Sequence, residues 1–288
     1  MEQKTQQPAF PDEPKIPILP NMLTAGNLLC GFFAILTIMQ GMYGTGSSAS
    51  ESAFDCYQRA TYFIFAACVF DLLDGRVARM CGSDGPFGRE FDSLADEVSF
   101  ALAPAMLLSK AVLFALPDPR LGWAVALIYL LCASLRLARF NCMAAAPRKE
   151  NQSSDFVGLP VPMAAGAVVS TMYLVIYIDQ DPDLHISLPW QIAMAVAMTG
   201  VSILMMSRVI YPSFKHITFR KKTTITAVIV GTIAVCALVA FPWIMPAVLF
   251  CCYLLYGLLV RPWLNHRWRK KLEAMDEEEE GTNDFKQD

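Results

Sequence analysis

Long apolar runs, broken by short polar stretches, set the pattern of this chain. Most runs are close to the ~20 residues that a helix needs to cross a bilayer core. About eight spans are predicted, at roughly 19–40, 59–78, 93–114, 122–143, 160–178, 189–207, 223–241 and 244–260. The last two flank Phe241-Pro242-Trp243, a link too short to hold a domain, and so predict a helical hairpin. The expected fold is an all-α polytopic membrane protein. A polar, Pro-rich tail occupies residues 1–16, a transmembrane region 17–260 and a second polar tail 261–288.

Two of the apolar runs are interrupted in a regular way. Asp71-Leu-Leu-Asp74-Gly75-Arg76-Val-Ala78-Arg79 is followed, after eight residues, by Gly88-Arg89-Glu-Phe-Asp92-Ser-Leu-Ala-Asp96. The carboxylates fall at i, i+3 and i, i+4 spacings, so each pair shares one helix face. An Asp at a helix centre costs about 2.5–3.5 kcal/mol on insertion scales. A cluster of them calls for compensating charge.

Composition agrees with a membrane protein: 288 residues, 55% hydrophobic and 17% charged. A soluble chain carries about 25% charged residues. The net charge of −3 is uninformative because the charges are segregated. With a cytoplasmic N-terminus, every one of the 23 Lys and Arg residues except Arg59, Lys110 and Arg120 falls on the inner side. The positive-inside rule therefore places both termini and the Asp cluster in the cytoplasm. The expected location is a multi-pass protein of the bacterial inner (plasma) membrane. The nine cysteines show no C-x-x-C spacing and read as small buried hydrophobes. The acidic run at 276–280 reads as a solvated tail. The basic stretch 261–271, with Trp263 and Trp268, reads as an interfacial or stop-transfer flank. No nucleic-acid partner is expected.

Hard divalent cations take carboxylate oxygens, and Mg²⁺ keeps positions open for water and substrate phosphates. Two such ions about 3.5–4 Å apart suit phosphoryl transfer. Asp71, Asp74, Asp92 and Asp96 suffice for a pair if some ligands are shared. Gly75 and Ala78 form a small-residue strip beside them, and glycine permits close approach of a substrate. Arg79 is placed to meet phosphate with its planar fork. Two other readings are open: an interhelical ion-pair cluster with Arg76, Arg79 and Arg89, or an ion-coupled transporter.

The pattern D-x-x-D-G-x-x-A-R-x8-G-x3-D-x3-D resembles the signature of the CDP-alcohol phosphotransferase family at every defining position. The resemblance implies a six-span core, roughly 17–210, to which the hairpin at 222–260 is an addition. It implies a dimer, two divalent ions (Mg²⁺ or Mn²⁺), and transfer from a CDP-linked substrate to an alcohol with release of CMP. Asp71 and Asp92 would bridge the metals, Asp74 would complete one site and Asp96 the other. Asp96 would also be the general base. Gly75, Ala78 and Arg79 would contact the CDP group, with Gly85 and Gly88 in the substrate loop.

Three flanking segments resemble the phosphatidylserine synthase branch of that family. They are Leu19-Pro-Asn21-Met-Leu-Thr24-Ala-Gly-Asn27-Leu-Leu-Cys-Gly31-Phe, Leu135-Arg136-Leu-Ala-Arg139-Phe-Asn141 and Phe156-Val-Gly158-Leu-Pro160-Val-Pro162. This branch implies CDP-diacylglycerol and L-serine as substrates within a lipid bilayer. Arg136 and Arg139 share a helix face and would bind the serine carboxylate or the lipid phosphate. Thr24, Asn27 and Asn141 are further candidate substrate contacts. A glycerol-3-phosphate or inositol phosphate acceptor is the nearest alternative.

Overall fold

The computed structural model describes residues 18–43, 52–81, 85–145, 156–179, 186–207, 209–211, 232, 236–237 and 240–260. Both tails, with their acidic and basic stretches, and most of the predicted seventh span lie outside these residues.

Helix α1 (Ile18–Tyr43) and helix α2 (Ala53–Met80) run antiparallel and pack along their length. Two glycines let them approach. A Cβ on Gly26 would meet the Phe70 ring at 3.0 Å, and one on Gly41 would meet the Tyr57 ring at 3.0 Å. A capping box starts α2: the Ser52 hydroxyl accepts from the Asp55 amide, and the Asp55 carboxylate accepts from the Ser52 amide.

The predicted third span begins earlier than its apolar run. Helix α3 (Pro86–Asp96) has Gly85 as N-cap and Pro86 in its first turn, where a missing N–H is harmless. It leads into a π-helical turn (Glu97–Leu102) and then helix α4 (Ala103–Ala111). Pro104 accounts for the local irregularity. It has no N–H to give the Phe100 carbonyl, its α-helical acceptor. The buried Tyr129 hydroxyl donates to that carbonyl instead, at 2.9 Å.

Helix α5 (Pro119–Ala145) supplies Tyr129 and packs against α4 and helix α7 (Leu188–Met206), while helix α6 (Val161–Asp179) contacts α2, α4 and α7. Four described helices are long and apolar enough to cross a membrane: Ile18–Met42, Pro119–Met143, Val161–Ile178 and Leu188–Met206. Exposed Phe32, Leu36, Leu127 and Leu131 suit lipid contact rather than water.

A short antiparallel pair, β1 (Phe156–Val157) and β2 (Ile210–Tyr211), ties the entry of α6 to the exit of α7. Gly158 sits there with φ +83, and the Met205 carbonyl fills the space that a side chain would need. Helix α8 (Met245–Leu255) packs on α6, where Gly166 meets the Phe250 ring. It continues into a second π-helical turn (Tyr256–Val260). All nine cysteines are free thiols, but only Cys56 is buried. Cys30, Cys68 and Cys132 are partly buried and pack against the core, whereas Cys81, Cys142, Cys236 and Cys252 are exposed, contrary to expectation.

Candidate active site

The end of α2 and the length of α3 meet against the start of α1. Carboxylate oxygens of Asp71, Asp74 and Asp92 come within 4.8 Å of one another. The i, i+3 spacing on α2 turns Asp71 and Asp74 the same way, and α3 brings Asp92 to them. Asp74 is buried and accepts the Thr24 hydroxyl at 2.9 Å. Thr24 also reaches back to the Pro20 carbonyl at 3.2 Å.

Asp96 stands beside this triplet, one helical turn beyond Asp92, within electrostatic range of all three. It is 7% exposed, and its Oδ1 accepts the Asn27 side-chain amide at 3.0 Å. Asn27 is itself fixed from behind, because Ser99 of the π turn donates to its backbone carbonyl at 3.0 Å. The close approach needs Gly31, whose Cβ would stand 2.8 Å from the Ser99 Cα.

Arg76 and Arg79, at the same end of α2, are exposed, and Arg136 lies within electrostatic range of Asp96. Asp92, half-buried, faces the Asp74 charge directly. Its Oδ1 is buried without a hydrogen-bond partner. Such a cluster fits a hard divalent cation, which would offset the crowded negative charge and ligate the orphaned oxygen.

The small-residue strip is open. A Cβ on Gly75 would meet nothing within 4 Å, in contrast to Gly26, Gly31 and Gly41. Its glycine is therefore not required by protein packing. Half-buried Ala78 and exposed Arg79 continue along the same helix end. Gly88 faces Asn21, with 3.5 Å between its would-be Cβ and the Asn21 Oδ1. The Asn21 side-chain nitrogen is buried and unpartnered. Gly85 is the N-cap of α3, next to the residues around 82–84 that lie outside the described set.

Arg136 and Arg139 project from α5. Arg136 is 8% exposed, its Nε has no hydrogen-bond partner, and it lies within electrostatic range of Asp96. Arg139 is half-buried. Asn141 is engaged by α3: it accepts from Ser93 at 3.1 Å and donates to Glu90 at 3.3 Å. Those bonds brace α5 on α3.

Sequence reasoning missed several supporting groups. Ser99 and Tyr129 carried no spacing signal, because each acts on a helix distant in sequence. The π turn was equally silent, although Pro104 marked its place.

Comparison with known proteins agrees with the geometry. A family model described as CDP-alcohol phosphatidyltransferase matches residues 17–201. A Bacillus subtilis protein named CDP-diacylglycerol–serine O-phosphatidyltransferase is 31% identical over 197 residues, covering 68% of this chain and 91% of that protein. A Mycobacterium leprae protein of the same name is 34% identical over 201 residues, 68% of this chain and 63% of that one. An archaetidylserine synthase from Methanothermobacter thermautotrophicus is 31% identical over 196 residues, 67% of this chain and 69% of that one.

Proposed function

We propose, because the chain belongs to the CDP-alcohol phosphatidyltransferase family, that it transfers the phosphatidyl group of CDP-diacylglycerol to the hydroxyl of L-serine. CMP leaves and phosphatidylserine forms. The observation that carries the reading is the convergence of Asp71, Asp74 and Asp92, with Asp96 held beside them by Asn27. The choice of serine is supported by the names of the similar proteins, which share it.

Asp71, Asp74, Asp92 and Asp96 would together hold two divalent ions, Mg²⁺ or Mn²⁺. Bound there, such ions would offset charge on the diphosphate and on the departing CMP oxygen. The remaining steps belong to the protein. Thr24 fixes one oxygen of Asp74 and so orients the other. The open face at Gly75 admits the diphosphate close to the α2 backbone. Arg79, with Ala78, Gly85 and Gly88 nearby, receives the cytidine phosphate side. Arg136 and Arg139 orient the serine carboxylate, with Asn141 bracing their helix. Asp96 takes the serine hydroxyl proton as the new O–P bond forms and the P–O bond to CMP breaks. An alcohol is too weakly acidic at neutral pH to attack without such a base.

In the same reading, residues 17–210 form the catalytic core, 222–260 an added hairpin, and the tails lie in the cytoplasm of a bacterial inner membrane, in a homodimer. Purified full-length protein given CDP-diacylglycerol, Mg²⁺ or Mn²⁺ and labelled serine should yield labelled lipid and an equal amount of CMP. Absence of label in lipid across pH and metal would overturn the serine assignment. Label from glycerol-3-phosphate or an inositol phosphate in its place would keep the reaction class and change the acceptor.

A further inference from the structure

From Asp96, a line of groups leads away from the Asp cluster toward the C-terminal helix, buried at Arg136 and Tyr211 and half-buried at Tyr253. Arg136 comes first, with its unpartnered Nε. Arg136 also lies within electrostatic range of Tyr253 on α8. The Tyr253 ring stacks on Tyr211 of β2, with 5.6 Å between centroids and 28° between planes. Tyr211 is fully buried, and its hydroxyl has no hydrogen-bond partner.

Tyr211 is held firmly in this costly position. β2 is paired with Phe156 and Val157, and Gly257 leaves room for its ring, which a Cβ there would strike. Buried polar atoms nearly always find partners, so one fixed without any needs an explanation. Two residues that carry such atoms neighbour Tyr253: Tyr211 by ring stacking and Arg136 within electrostatic range. Both are hydrogen-bond donors suited to a carboxylate or phosphate oxygen. Tyr211 and Tyr253 lie beyond residue 201, where the family match ends.

We propose that Tyr211 and Tyr253 complete, with Arg136, a pocket beside Asp96 that seats the anionic group of the acceptor alcohol, so that the C-terminal helix helps determine specificity. The proposal rests on the acceptor reading above. In serine the carboxylate is attached one carbon away from the hydroxymethyl group. A pocket for it must therefore lie near the base that receives the hydroxyl proton, and Arg136 is within electrostatic range of Asp96. The CDP group would instead lie along Gly75 and Arg79, on α2. Tyr211 and Tyr253 thus act as positioning residues for the acceptor.

The test is steady-state kinetics of full-length Tyr211→Phe and Tyr253→Phe, varying serine and CDP-diacylglycerol separately, with ethanolamine as the acceptor lacking a carboxylate. Each variant is expected to raise the KM for serine about tenfold, the effect of one lost hydrogen bond to a charged group. The KM for CDP-diacylglycerol should stay within about twofold. Preference for serine over ethanolamine should fall by the same factor as the serine KM rises. Thermal stability supplies a second readout. Tyr211→Phe removes an unpartnered buried hydroxyl, so a purely structural role predicts equal or higher stability and unchanged kinetics. An unchanged serine KM overturns the proposal. So does a rise confined to CDP-diacylglycerol, which would assign the pocket to the lipid phosphate. Failure of the wild type to make phosphatidylserine would refute the serine assignment separately. The same KM comparison, made with whichever anionic alcohol the wild type accepts, would then decide the role of the two tyrosines.

Discussion

The Asn27 amide nitrogen lies 3.0 Å from Asp96 Oδ1, although the two residues are 69 positions apart. One oxygen of the proposed base is thereby fixed and the other is left for chemistry. Behind it, Ser99 holds the Asn27 carbonyl, so α1 and the π turn grip the same residue from two sides.

Removing that grip should affect turnover more than folding. Asn27→Ala is expected to lower kcat about tenfold, the scale of one charge-assisted hydrogen bond, with little change in the KM for CDP-diacylglycerol. CMP release measured against lipid concentration separates the two parameters. An unchanged kcat would show that Asp96 needs no such orientation.

The carboxylates themselves should separate by role. Asp96→Asn is expected to reduce kcat by about 10²–10⁴-fold, the usual contribution of a positioned base, while CDP-diacylglycerol still binds. Asp92→Ala should instead raise the metal concentration needed for half-maximal activity. Chelation should abolish CMP release in the wild type and readdition restore it. Full activity after exhaustive chelation would remove the metal assignment.

Gly31 and Gly75 should respond in opposite ways to the same added methyl. Gly31→Ala places a Cβ against the Ser99 backbone, and overpacking of this kind costs about 1–3 kcal/mol. Its thermal midpoint in detergent should drop. Gly75→Ala meets no protein atom, and Ala is favoured over Gly in a helix by about 1 kcal/mol. It should therefore be as stable as the wild type or more so, yet bind CDP-diacylglycerol more weakly. Equal lipid affinity in Gly75→Ala would mean that the open face is not where the diphosphate lies.

Tyr129→Phe leaves the Phe100 carbonyl buried without its donor, at a cost of about 1–3 kcal/mol. Pro104→Ala restores a backbone N–H at the position an α-helix would use. The double variant should recover part of the lost stability in thermal unfolding. No recovery would indicate that the π turn is set by tertiary packing rather than by the proline.

The sequence by itself determined which residues could share a face. Helical periodicity is local, so the pairs Asp71/Asp74 and Asp92/Asp96 and the strip at Gly75 and Ala78 could be read directly. Apolar run lengths likewise determined the membrane class, because bilayer thickness sets them. Tertiary structure alone decided which faces meet. Thr24 on Asp74, Asn27 on Asp96 and Tyr129 on Phe100 join helices far apart in sequence, and no periodicity encodes such partners. It also separated glycines of like appearance: Gly31 is required by a neighbouring helix, whereas Gly75 borders open space. The reach of the C-terminal helix to Arg136 was equally invisible in one dimension. Packing between distant segments depends on where whole helices come to rest, and only the assembled bundle decides that.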